Sequence, residues 1–131
     1  MLGKEVAASE PICRFVTGKD YYRPSDESVR HNAFMPNKDG ETSVYRTISL
    51  NDEKIYDLGK RFVAPKKKKP IKGWADILAS RIMEQQLRVD PKLHPHHRHA
   101  NIVDWPKDRE KNRLIAIKLA SESELHLLAP T

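Results

Sequence analysis

The sequence predicts a single α+β domain, a small and mostly antiparallel sheet packed with two helices. Three observations carry that expectation. Residues 42–50 alternate, with Val44, Arg46 and Ile48 on one side and Ser43, Tyr45 and Thr47 on the other, the period of a strand with two unlike faces. Ile55, Leu58 and Phe62 then recur at helical spacing. Ahead of the alternating stretch, Asp39-Gly40 supplies the positive φ that a tight hairpin turn between antiparallel strands requires.

Length and composition set the outer bounds. A chain of 131 residues is most simply one domain with one core. At 38% hydrophobic and 32% charged, it has the balance of a globular chain rather than a disordered one. No apolar run approaches the roughly 20 residues of a membrane helix, so no membrane partner is expected. The single cysteine, Cys13, excludes an intramolecular disulfide, and Met1 to Ser9 lack the apolar stretch of a secretory signal, which together fit a cytosolic protein. The formal charge of +6 favours acidic partners, nucleic acid above all.

Residues 1–10 read as a flexible leader to a domain spanning 11–131. Ile12 to Thr17 form a short strand stopped by Gly18, with Cys13 as a small core residue between Ile12 and Phe15. Arg14 either lies to solvent on an edge strand or turns inward and needs an anionic partner. The turn-rich segment 19–28 holds Tyr21 and Tyr22 beside Arg23, which either stack on a nucleobase or anchor a half-buried loop. Residues 29–36 read as a strand running into the turn at Asn37 to Gly40. In the strand at 42–50, Arg46 shares a face with two aliphatic side chains, as an edge-lying cation or a placed anion ligand.

Ser49 to Asp52 resembles a capping box that starts a helix over 52–63, with Asp52 and Glu53 suited to its positive end. Gly59, inside the apolar stripe, permits close approach of a neighbouring strand. From Lys60 to Lys72 there are seven basic residues and no acidic one. Lys66, Lys67, Lys68 and Lys69 stand between Pro65 and Pro70, which predicts an extended, mobile basic loop at 64–73. Residues 74–82 fit strand or helix equally, with Trp74 a core or hinge aromatic. Asn101 to Trp105 read as a strand ended by Pro106. Residues 107–120 are read as a second helix, capped by Asp104 or Asp108, although 113–120 also alternate. Ser121 to Thr131 form a tail or a short terminal strand.

Four of the six histidines, His94, His96, His97 and His99, fall within six residues around Arg98. Imidazoles titrate near neutral pH, so this patch can bind an anion, move protons or hold a metal. Metal is disfavoured, because no second spaced His or Cys pair is present and Arg98 repels a dication. No metal or other cofactor is therefore expected. Metal-free cleavage of RNA needs a base, an acid and cations at the phosphate, for which His97, His99 and Arg46 are the candidates. Anion binding without chemistry needs only the positive surface: Lys66 to Lys69, His96, Arg98, Tyr22 and Arg23. There is no glycine-rich phosphate loop, G-x-S-x-G elbow, H-E-x-x-H or paired cysteine motif, which disfavours nucleotide-driven motors, common serine hydrolases and zinc fingers.

The expectation is a basic cytosolic protein that binds a polyanion, RNA or DNA, through the lysine loop and the His/Arg cluster. The alternatives are a metal-independent ribonuclease using two histidines as acid and base, and a module for contact with a protein partner or a second copy of itself.

Overall fold

A computed structural model describes residues 2–128. Strand β1 (Pro11–Val16) buries Ile12 and Cys13 on opposite faces, as a strand covered from both sides does. A ribbon of β2 (Tyr22–Arg23) and β3 (Ser28–Val29) follows, then a 3-10 turn at His31–Ala33. That turn replaces most of the strand expected over 29–36. Ala33 and Phe34 are adjacent and both fully buried, whereas a one-sided strand would turn one of them to solvent. The 37–40 turn forms as expected: the Asn37 side chain accepts the Asp39 and Glu41 N–H groups, and Gly40 takes φ 77°.

Strand β4 (Thr42–Arg46) occupies the first half of the alternating stretch. Helix α1 (Asp52–Phe62) falls where the apolar stripe places it, with Ile55 and Leu58 buried. Its cap is Asn51, whose side chain accepts the Lys54 N–H, two residues beyond the expected Ser49. Gly59 lets α1 close on β1, since a Cβ there would lie 2.5 Å from the Phe15 ring. The extended loop expected over 64–73 is displaced only in its first part, 64–67. Ala64–Lys67 form one helical turn, α2, because Pro65 sits in a first turn, where its missing N–H leaves no bond unmade. Lys68 ends it in the left-handed region at φ 57°, its N–H bonded to the Ala64 carbonyl.

The undecided 74–82 stretch is both things in turn, strand β5 (Gly73–Leu78) and helix α3 (Ala79–Met83), and Trp74 lies in the core. Strands β6 (Arg88–Pro91) and β7 (His99–Val103) precede α4 (Arg109–Glu122), whose cap Asp108 accepts the Glu110 and Lys111 N–H groups. Strand β8 (Glu124–Leu127) follows, and residues 129–131 of the expected tail lie outside the described residues.

The fold is the expected single α+β domain. Its six-stranded sheet is antiparallel throughout, in the order β6-β7-β4-β1-β5-β8. One face packs Phe34, Val44, Ile82, Ile102 and Leu119 under the 3-10 turn, α3 and α4. The other packs Cys13, Phe15, Tyr45 and Trp74 under Ile55 and Leu58 of α1. The two helices foreseen, α1 and α4, are the long ones; α2 and α3 are additions of four and five residues. Among the described residues, no helix is long and apolar enough to cross a membrane.

Of the flexible leader expected over residues 1–10, residues 3–10 are tied to Arg46 of β4 and to the start of α3. Val6 and Glu10 are buried, and the carbonyls of Ala8 and Glu10 accept the Ser80 and Ala79 N–H groups.

Candidate functional site

The site begins with a parting of strands. β1 pairs with β5 along its whole length, from Pro11–Leu78 to Val16–Gly73, but with β4 only at Ile12–Arg46 and Cys13–Tyr45. Past Tyr45 toward its N-terminal end, β4 pairs with β7 alone. The gap leaves backbone carbonyls without ladder partners, and Arg14 answers them. Its Nη1 donates to the Ser43 carbonyl at 2.9 Å, its Nε to the Ala33 carbonyl at 2.7 Å and its Nη2 to the Tyr21 hydroxyl at 3.0 Å. The inward alternative considered for Arg14 is therefore met by carbonyls and a phenol.

Over this gap lies a cleft of about 380 Å³. Ser43 and Tyr45 of β4, His99 at the start of β7, Arg14 and Tyr21, Phe62 at the end of α1 and Lys66 and Lys67 of α2 all line it. The Tyr21 hydroxyl also accepts from Lys67 Nζ at 3.3 Å. Burial opposes ionisation of this phenol, but the Arg14 and Lys67 cations outweigh it and hold its pKa below the usual tyrosine value. A second recess of about 270 Å³ shares Tyr21 and Lys67 and adds Lys69. Among the described residues, none of Lys66 to Lys69 forms an ion pair with a carboxylate, so their charge faces outward.

His99 is the best-defined group in the cleft. Its Nδ1 lies 3.1 Å from the Lys92 carbonyl, which can only accept, so Nδ1 carries the proton of the neutral ring. Nε2, 2.8 Å from Ser43 Oγ, is then the lone-pair nitrogen and accepts the hydroxyl proton. Tyr45 meets the imidazole edge-on at 5.3 Å. Burial lowers the His99 pKa; the Lys66 charge adds to this, and the Lys92 carbonyl works against it without prevailing. The result is a neutral imidazole, oriented by backbone, with a serine hydroxyl on its basic nitrogen.

The remaining residues singled out by sequence lie elsewhere or are spent on structure. His97 is exposed and lines a separate pocket with Leu2, Lys4 and Arg46, so of the expected trio it meets Arg46 but not His99. His96 stacks on His97 at 4.2 Å and leans on Phe62 at 4.9 Å; burial, then the neighbouring His97 and Arg98, lower its pKa. Arg98 donates through Nη1 to the carbonyls of Arg46 and Ile48, stitching the histidine loop to the end of β4. Arg46 is 2% exposed and has its anion within the chain, Glu10, bonded at 2.9 Å through Nε and 2.8 Å through Nη2. Tyr22 and Arg23 sit in the β2–β3 ribbon, and Arg23 lines a groove beside α4. Lys68 caps α2 and lines neither recess.

Ser43, Arg14, Glu41, Tyr45 and Phe62 are cleft residues that sequence reasoning did not place there, whereas Tyr21 was already a candidate for stacking on a nucleobase. Ser43 was visible only as one side of an alternating strand; its partner lies 56 residues away, and no local pattern joins them. Among the described residues, no three His, Cys, Asp or Glu side chains are grouped to hold a metal ion. No family model matches the chain, and neither a curated protein nor a solved structure matches it.

Proposed function

We propose that this is a basic cytosolic protein that binds a polyanion, a single strand of nucleic acid, across the cleft between β4 and α2. One observation carries the reading: Lys66 and Lys67 line the same cleft as Pro95 and His99 of the histidine loop. Segments separated in sequence thus meet at one cleft, where Arg14, Lys66 and Lys67 supply the positive charge and Lys69 extends it past Tyr21. Lysines hold phosphates without regard to sequence, while the half-buried Tyr21 and Phe62 add aromatic surface beside them, the combination that single strands use. Anions also gain from Arg14, whose guanidinium has only carbonyl and phenol partners.

The test is fluorescence anisotropy with labelled single-stranded RNA and DNA oligonucleotides over a salt series. Wild-type affinity is expected to fall steeply with salt. The double change Lys66→Glu, Lys67→Glu should weaken binding at least about tenfold and flatten the log–log salt slope by roughly 0.7 for each phosphate that is no longer neutralised. Lys111→Glu with Lys118→Glu, on exposed positions of α4, should leave binding as it was. Equal affinity of the α2 variant and the wild type would sink the proposal.

A further inference from the structure

A serine hydroxyl is a weak nucleophile until a base takes its proton, and the base works when it is neutral, oriented and within hydrogen-bond reach. All three conditions meet at the cleft wall. His99 Nε2 is 2.8 Å from Ser43 Oγ, and the Lys92 carbonyl fixes the tautomer from the far side. Both side chains stand on paired strands, β4 and β7, held by the Ser43–Asn101 and Tyr45–His99 register. A serine–histidine bond sealed in a core would merely satisfy two polar groups; this one lines an open cleft that also holds Arg14, Lys66 and Lys67, with Glu41 as its one carboxylate.

We propose that Ser43 is a nucleophile and His99 its base, and that together they hydrolyse a phosphodiester bond held against Lys66, Lys67 and Tyr21. The choice of substrate rests on the polyanion reading above; the choice of nucleophile does not. In the first step Ser43 Oγ attacks phosphorus as its proton passes to His99 Nε2. The bond from phosphorus to the leaving sugar oxygen breaks, and that oxygen takes the proton from the imidazolium. Water then attacks the serine-bound phosphorus, giving a proton to His99 as the bond to Ser43 Oγ breaks, and the proton returns to the serine. Water is the only co-reactant. Lys66 and Lys67 neutralise the oxygens around phosphorus, and the Tyr21 hydroxyl, which accepts from Arg14 and Lys67, keeps its own proton to donate to one of them.

The charged and titratable groups facing the pair are Lys66 and Lys67 from α2, Glu41 from the turn, and Arg14, Tyr21 and Tyr45. Burial, with the Lys66 charge, sets the His99 pKa below the ordinary histidine value of 6.5, so the rate of serine attack should level off at a correspondingly lower pH.

The experiment treats the full-length protein with a fluorophosphonate, whose phosphorus–fluorine bond reports an activated serine by forming a stable adduct. Intact mass and peptide mapping should show one phosphonyl group, on Ser43. Ser43→Ala should abolish it, and His99→Gln should slow it about 100-fold. With chelator present, the wild type should also release p-nitrophenol from bis(p-nitrophenyl) phosphate, and Ser43→Ala should not. A wild-type chain with no adduct on Ser43, or with no Ser43-dependent release, overturns the proposal even where oligonucleotides still bind. An adduct and Ser43-dependent release in a chain that binds no oligonucleotide would leave the nucleophile standing and remove the polyanion reading instead.

Discussion

Changing Arg46 to alanine is expected to remove about 3–5 kcal/mol of folding stability, read by urea denaturation, because it strands a buried carboxylate. Arg46 and Glu10 are both buried, and the guanidinium also holds the carbonyls of Gly3 and Glu5. A loss of that size is a large part of the roughly 5–15 kcal/mol that a domain possesses. Replacing the pair together, Arg46→Met with Glu10→Leu, should restore part of it, since no lone charge is then left inside.

The same pair sets an acid limit. Burial alone would raise the Glu10 pKa, but the hydrogen bonds from Arg46 and the Ala7 N–H, with the charges of Arg46 and Arg98, hold it below the ordinary 4.5. A depressed carboxylate contributes stability that is complete above its unfolded pKa and is lost as pH falls through the folded one. The difference between the wild type and Arg46→Ala should therefore shrink as pH drops below about 4.5. A difference under about 1 kcal/mol at pH 7, or one unchanged at pH 3, would show that the ion pair does not secure residues 3–10.

Gly73→Ala is expected to cost about 3 kcal/mol, the upper end of what overpacking usually costs. A Cβ on Gly73 would overlap the carbonyl oxygen of His126, an atom of the adjoining backbone that cannot swing aside. The strain falls on the pairing of Gly73 with Leu127 and Trp74 with His126, so β8 must draw away from β5. That movement breaks the 2.9 Å contact of His126 with Asp76 and the 5.8 Å stack of His126 on Trp74. Denaturant unfolding followed by tryptophan fluorescence measures both consequences. Gly18→Ala is the control: a Cβ there meets nothing within 4 Å, and its effect should stay within about 0.5 kcal/mol. Equal effects at the two glycines would refute the close approach.

Elements with a local cause were legible. The α1 stripe of Ile55, Leu58 and Phe62, the Asn37–Gly40 turn and the Asp108 cap of α4 each depend on residues within a few positions of one another. The misreadings arose where a local rule met a position-specific exception. Pro65 excludes a helix interior but not a first turn, and Asn51 outcompeted Ser49 as cap because Ser49 takes φ 67° before the helix begins. In the candidate site, the lysine run and the histidine cluster stood out by composition alone. Their division of labour did not: of four clustered histidines, only His99 enters the strand and the cleft, and of two adjacent tyrosines, only Tyr21 meets Arg14 and Lys67.

Composition and periodicity by themselves determined the class of this protein: one α+β domain, positively charged, with two long helices and a sheet. Those properties are sums or short-range repeats, and a chain carries them before it folds. Which cations stay free was decided only by the tertiary structure. Arg14, Arg46 and Arg98 look equally available in the sequence, yet each is drawn to carbonyls or a carboxylate that the folded chain brings within 3.2 Å, while the lysines of α2 are left facing the cleft. A hydrogen bond acts over one atomic separation, so it follows spatial neighbours, and here those are 19 to 56 residues apart along the chain.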